Sequence, residues 1–259
     1  MKIKFTKYQA TGNDFIFING FETSLHLTQA QIQLLCDRHF GIGSDGLIIL
    51  RPDEQTDFFM DFYNPDGSIA GFCGNGGRAS VIFAAHLGII DRQTLFRARD
   101  GKHRAQITGE DTVKLEMTQV CGIKQHGKEY YLNTGTHHVV IFTENLDQMD
   151  IIPTAKEIRY SPRYAPDGTN VNFVEILDKN LIKIRTYEKG VEAETLSCGT
   201  GTVASALASA EIKNLSSPIE VLTRGGKLKV YFEQNNGCFK EVFLQGQANK
   251  VFTGEIEIF

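Results

Sequence analysis

The 259-residue sequence has no excess of basic residues. Its 27 Lys and Arg stand against 31 Asp and Glu, for a formal net charge of −4 and a pI near 6.0. No local cluster of Lys and Arg offsets this, so nothing is set to neutralise a phosphate backbone and no nucleic-acid partner is expected. No apolar run approaches the roughly 18 residues of a membrane span, so no membrane partner is expected either. The opening MKIKFTKYQATGNDF alternates charged and apolar residues where a secretory signal would be unbroken and apolar, which predicts a cytoplasmic protein. Cysteine is scarce and unpaired in pattern: Cys36, Cys73, Cys121, Cys198 and Cys238 are odd in number and none lies in a C-x-x-C pair. A chain this long does not need disulfide staples, so each cysteine is judged by its neighbours. With 41% hydrophobic and 22% charged residues, the chain has the material for one large globular domain or two ordinary ones.

What is present is a duplication. CGNGGRAS at 73–80 recurs as CGTGTVAS at 198–205, an offset of 125; Thr11-Gly12 recurs as Thr134-Gly135, and Tyr63 as Tyr187. Three features kept in order at nearly one spacing predict two copies of one unit. Each copy carries short alternating stretches that read as strands (KIKFTKY, DFIFIN, FFMDFY; VNFVEIL, LIKIRTY, KLKVYF), separated by Gly, Asn and Asp turns. After each Cys-Gly-x-Gly turn the composition predicts a helix, Arg78 to Leu87 and Val203 to Ile212. Both are apolar or small on nearly every face, as in a helix surrounded by protein. A further amphipathic helix is predicted over Thr28 to Arg38, with Thr28 as N-cap and Ile32, Leu35 and Cys36 facing the core. The expected fold is α+β: two pseudo-symmetric domains, each a curved, mostly antiparallel sheet wrapped around a central helix. The expected bounds are 1–120 plus 248–259 and 121–247, the last stretch, KVFTGEIEIF, returning to the first domain.

A cysteine just ahead of a helix meets unpaired backbone N–H groups and the positive end of the macrodipole, both of which favour the thiolate. The glycines that follow let a ligand approach the backbone, so the same N–H groups can hold a carboxylate. Two such turns facing one cleft would set a thiolate on one face of a bound amino acid and a thiol on the other, the arrangement for inverting a stereocentre. The carbanion formed on the way would be stabilised through its carboxylate by the two helix ends, with no pyridoxal phosphate, other cofactor or metal required. A zinc site is the competing use of the cysteines and seven histidines, but structural zinc ligands usually arrive in close pairs. A phosphate cradle would want G-x-x-x-x-G-K-[ST], which neither loop has. A Cys73–Cys198 disulfide would be an inactivating side reaction.

The ordered motifs TGNDF (11–15), GIGSDG (41–46), FYNPDGS (62–68), CGNGGR (73–78), GTHH (135–138), TNVNF (169–173), YEKG (187–190) and ETLSCGTGT (194–202) resemble the diaminopimelate epimerase family over essentially the whole chain. The resemblance implies conversion of L,L-2,6-diaminopimelate to the meso isomer for lysine and peptidoglycan synthesis, with Cys73 and Cys198 as the two bases. It also implies that Gly74, Asn75, Gly199 and Thr200 hold the reacting carboxylate through their N–H groups. Asn13, Asn64 and Asn170 would bind the substrate, mostly at its far end; Glu188 would accept from a substrate ammonium group or assist the acid/base step, and His138 would assist it similarly. An amide can accept from an ammonium and donate to a carboxylate, which suits a substrate with an amino-acid group at each end. Lys189 stands where the family usually has Arg, keeping the charge without the planar fork. The stretch from Glu188 to Cys198 is one residue longer than usual, and Thr136-His137-His138 replaces Asn-Pro-His. Proline racemase and hydroxyproline epimerases, or a non-catalytic amino-acid-binding protein of the same fold, are the alternatives. The first have His where Asn75 stands, and the second would not need both thiols. The expected partner is the small-molecule substrate, and a homodimer is compatible with this reading.

Overall fold

The structure, a computed structural model, describes residues 2–22 and 25–258. The chain divides into two compact units, Met1–Leu115 with Gly246–Phe259, and Glu116–Gln245. Phe259, at the end of the stretch expected to close the first domain, lies outside the described residues.

In the first unit the strands are Lys2–Ala10 (β1), Asn13–Asn19 (β2), Gly46–Arg51 (β3), Phe59–Tyr63 (β4), Gln93–Ala98 (β5), Gly101–Gly109 (β6) and Thr112–Glu116 (β7). The helices are Gln29–Cys36 (α1) and Gly74–His86 (α2). β1 pairs antiparallel with β2 and with the closing strand Asn249–Glu257; β2–β3 is parallel, β3–β4 antiparallel, β4–β5 parallel, and β5–β6 and β6–β7 antiparallel. Alternation along the strands sends side chains to two helices. Ile16, Ile18, Leu47 and Ile49 pack with Ile32, Leu35 and Cys36 of α1, while Phe17 meets Phe83 of α2 with ring centroids 5.2 Å apart. α1 begins as predicted: Thr28 caps it and exchanges bonds with Gln31 in a capping box, worth about 1 kcal/mol.

The second unit repeats the plan. Its strands are Val120–Cys121 (β8), Lys124–His126 (β9), Glu129–Asn133 (β10), His137–Phe142 (β11), Asn170–Asp178 (β12), Leu181–Glu188 (β13), Ala193–Thr195 (β14), Ile219–Thr223 (β15), Gly226–Asn235 (β16) and Cys238–Gln247 (β17). Its longer helices are Ile152–Arg159 (α3) and Gly199–Lys213 (α4). β10–β11 is antiparallel, β11–β12 parallel, β12–β13 antiparallel, β13–β15 parallel and β15–β16 antiparallel, the succession of the first unit. Val171, Phe173 and Tyr187 pack on the α3 side with Leu146, Ile151 and Ala155, so His138, Asn172 and Thr186 project to the α4 side. The predicted α+β class, a sheet around a central helix, holds in each unit.

Two details depart from the sequence reading. The helices begin at Gly74 and Gly199, so each Cys-Gly-x-Gly segment is the first helical turn with its cysteine as N-cap, rather than a turn ahead of the helix. Glycine's low helix propensity hides this in the sequence. A disulfide, unforeseen at this chain length, joins Cys121 to Cys238, which face each other across β8 and β17 with Cα atoms 4.1 Å apart. Cys36, Cys73 and Cys198 are free thiols.

Candidate active site

In the first unit, Cys73 caps α2 in an extended conformation, and the first intrahelical bond runs from Gly77 N to Cys73 O at 2.7 Å. The N–H groups of Gly74, Asn75 and Gly76 thus precede the helical ladder. A side chain at Gly76 would lie 2.9 Å from Ile48 Cδ1 and 3.0 Å from Met60 Cε, so this turn sits directly on the sheet only because the residue is glycine. The Cys73 thiol donates to Asn13 Oδ1 at 3.8 Å, and Asn75 Nδ2 donates to the same oxygen at 3.2 Å. Asn13 Nδ2 in turn donates to Asp45 at 2.8 Å, which fixes which end of that amide faces the sulfur. Asp45 and Asp14 are bridged by Arg38, and Asp14 also pairs with buried Lys7 at 2.8 Å. Burial works to raise the Asp14 carboxyl, but the bonds from Arg38 and Lys7 outweigh it and hold it at about 2.

Beneath this turn lies Arg78, wholly buried. Its Nη2 donates to Asn75 Oδ1 at 2.9 Å and to Thr11 Oγ1 at 3.3 Å, and its Nε has no hydrogen-bond partner among the described residues. Burial lowers the guanidinium to about 10, and Cys73 opposes that fall through its charge. Thr11 is a β-branched residue in the left-handed region, φ 50°, beside Gly12 at φ 87° in the hairpin turn that delivers Asn13.

In the second unit, Cys198 caps α4, and Thr202 N bonds back to Cys198 O at 2.8 Å. The sulfur accepts from Gly201 N at 3.4 Å and lies 3.5 Å from Thr200 Oγ1. His138, fully buried at the start of β11, places Nε2 3.0 Å from the same hydroxyl, and its Nδ1 lies 3.1 Å from Asn172 Nδ2. Burial pushes the His138 ring down to about 3, so it is neutral.

The remaining predicted residues hold local structure as well. Asn64 donates to Ser68 Oγ at 3.0 Å in the NPDGS turn, and its carbonyl accepts from Gly67 N. Asn170 donates to His137 O and accepts from Lys189 N, both at 2.9 Å, so it ties the Glu188-Lys189 segment to β11. Glu188, at the end of β13, accepts from the Thr195 hydroxyl. Glu192, at φ 57°, accepts from Arg159 at 2.8 Å, Tyr160 at 2.6 Å and Gly190 N at 3.0 Å, anchoring the turn that carries Lys189. The sequence reading missed Asp45, Asn172, Thr186 and Glu192 and gave Arg78 no role. Asn172 and Thr186 could have been found from alternation, since both fall in phase with His138 on the α4 face.

Among the described residues no three His, Cys, Asp or Glu side chains converge as metal ligands, and no helix is long and apolar enough to cross a membrane. The family model described as diaminopimelate epimerase matches residues 5–121 and 130–251. A diaminopimelate epimerase of Flavobacterium psychrophilum is 48% identical over 252 residues, covering 96% of this chain and 98% of that one. Another, of Chlorobaculum tepidum, is 41% identical over 256 residues, covering 95% and 98%. Among solved structures, a phenazine biosynthesis protein of the PhzF family from Bacillus anthracis is similar along the full length of both chains, with a TM-score of 0.79 at 16% identity, a likeness of fold alone. The chain belongs to the diaminopimelate epimerase family.

Proposed function

We propose that this isomerase interconverts L,L- and meso-2,6-diaminopimelate without a cofactor, through Cys73 and Cys198. The observation that carries the reading is that both cysteines cap helices whose first N–H groups precede the intrahelical ladder. One thiolate takes the α-proton as the Cα–H bond breaks, and the electron pair moves onto the carboxylate. The other thiol gives its proton to the opposite face, leaving the two sulfurs with exchanged protonation states. The N–H groups of Gly74, Asn75, Gly199 and Thr200 hold the carboxylate as its charge develops. Asn13, Asn64, Asn170, Glu188 and Lys189 select the substrate, while Glu188 and His138 assist the proton steps. The two compact units are the two epimerase domains. The proposal extends to a cytoplasmic setting, a small-molecule substrate as the partner, and a homodimeric state.

Purified protein incubated with L,L-diaminopimelate in heavy water, with nothing added, is expected to give meso product carrying α-deuterium. Turnover that depends on added pyridoxal phosphate or metal refutes the two-thiol route, and turnover of proline in preference to diaminopimelate refutes the substrate.

A further inference from the structure

The hydrogen bonds beneath Cys198 run in one direction. The carbonyl of Val139 can only accept, so the Asn172 group 3.0 Å from it is the amide nitrogen. Thr186 supports that orientation from the other end, its hydroxyl donating to Asn172 Oδ1 at 3.0 Å. The same Asn172 nitrogen is 3.1 Å from His138 Nδ1, which must therefore accept. A buried neutral imidazole has one proton, and with Nδ1 accepting, that proton is on Nε2. Nε2 then donates to Thr200 Oγ1 at 3.0 Å. A hydroxyl that accepts from His138 keeps its own proton for another acceptor, and the sulfur of Cys198 lies 3.5 Å away. Gly201 N already donates to that sulfur at 3.4 Å. A Cβ on Gly201 would lie 2.4 Å from Asn172 Oδ1, so the turn and the relay fit only with glycine there.

We infer that Asn172, acting through His138 and the hydroxyl of Thr200, is a positioning residue that aims a second hydrogen-bond donor at Cys198 and favours its thiolate. The direction matters for the chemistry. His138 is in the donor tautomer toward Thr200, so it does not take the Cys198 proton; it orients the hydroxyl that stabilises the sulfur once that proton has gone. The structural alternative, a buried polar cluster that merely satisfies itself, would not need to end on a reactive sulfur. The ionisable groups that act on His138 through space are His137 and Lys189.

The inference rests on the proposed role of Cys198, and its test is made without substrate so that the two can fail separately. Cys198 is alkylated with iodoacetamide across pH in the full chain, and its labelling is read by peptide mass spectrometry. Thr200→Val is expected to move half-maximal labelling upward by about one pH unit, the scale of one hydrogen bond to a charged group. Thr200→Ser, which keeps the hydroxyl, is expected to stay at the wild-type position. Asn172→Leu changes no residue of the cysteine turn and is expected to shift labelling the same way as Thr200→Val. A wild-type profile in either folded variant, Thr200→Val or Asn172→Leu, overturns the relay, as does a Thr200→Ser profile that follows Val.

Discussion

The two cysteine turns share a backbone plan and differ in where their polar groups come from. Strand registers make the equivalence exact enough to compare residues. Leu47 opposes Tyr63 as Val171 opposes Tyr187, an offset of 124 throughout, and Thr11-Gly12 leads into β2 as Thr134-Gly135 leads into β11 at an offset of 123. Under α2 the floor is apolar: Phe15, Ile48 and Phe62 occupy the places held under α4 by His138, Asn172 and Thr186. The first turn compensates from within the helix, where Arg78 replaces Val203 and feeds Asn75 from below. One sulfur therefore faces an amide oxygen beside a buried cation, and the other faces a neutral donor chain. The duplicated scaffold thus accepts either source of polarity, at the cost under α2 of leaving Arg78 Nε without a partner among the described residues.

The comparison is broken most severely at the sulfurs. Cys73→Ala and Cys198→Ala are each expected to lower epimerisation at least about 10³-fold, because inversion needs a base and an acid and neither half can serve as both. Steady-state assays of meso product check this, and near-wild-type turnover in one variant would mean that the halves are not chemically paired. Next in size is the cation that only the first unit has. Arg78→Met leaves Asn75 Oδ1 and Thr11 Oγ1 without this buried donor, and is expected to cost about 3 kcal/mol in urea unfolding. Val203→Met, the matching position in α4, tests the comparison, since it breaks no hydrogen bond and carries only a packing cost of about 1 kcal/mol or more.

His138 sharpens the comparison through pH. Its ring is held at about 3 in the folded protein against 6.5 ordinarily. The unfolded chain therefore binds a proton first as pH falls, and stability is lost from pH 6.5 down toward 3 and is unaffected above. By pH 5 the loss from this group is about 2 kcal/mol. His138→Gln is expected to lower stability at pH 7 yet flatten this acid limb, as read by urea midpoints between pH 7 and 5. An unchanged slope would mean that His138 titrates normally.

What could be read in advance followed from pattern. The capped helix at Thr28, the alternating strands and the twin cysteine motifs all announce themselves locally, and the duplication supplied the architecture. The helix starts did not, because Gly74, Gly76, Gly199 and Gly201 are poor helix formers, and the close approach that requires glycine at Gly76 and Gly201 shows only in the packed structure. Nor did the Cys121–Cys238 bond, whose partners are 117 residues apart and meet only through strand pairing. Asn172 and Thr186 were legible only through their phase with His138. A polar residue on a strand reads as solvent-facing, and only the packing of α4 over that face shows both to be buried.

Lys189 offers the smallest and most selective test. Asn170 fixes its backbone, and Glu192 anchors the turn around it, so the position is held. A lysine ammonium attracts a distal carboxylate as a point charge, whereas a guanidinium grips it with two parallel donors. If Lys189 meets the distal carboxylate as proposed, Lys189→Ala is expected to raise KM for diaminopimelate about tenfold with kcat little changed, since such a contact is made equally in the ground and transition states. Lys189→Arg, with the backbone held in the same place, is expected to lower KM or leave it unchanged. A fall in kcat with constant KM in the alanine variant would instead put Lys189 in the proton transfer itself, and would move the asymmetry between the two halves from the cysteine turns to the segment that follows β13.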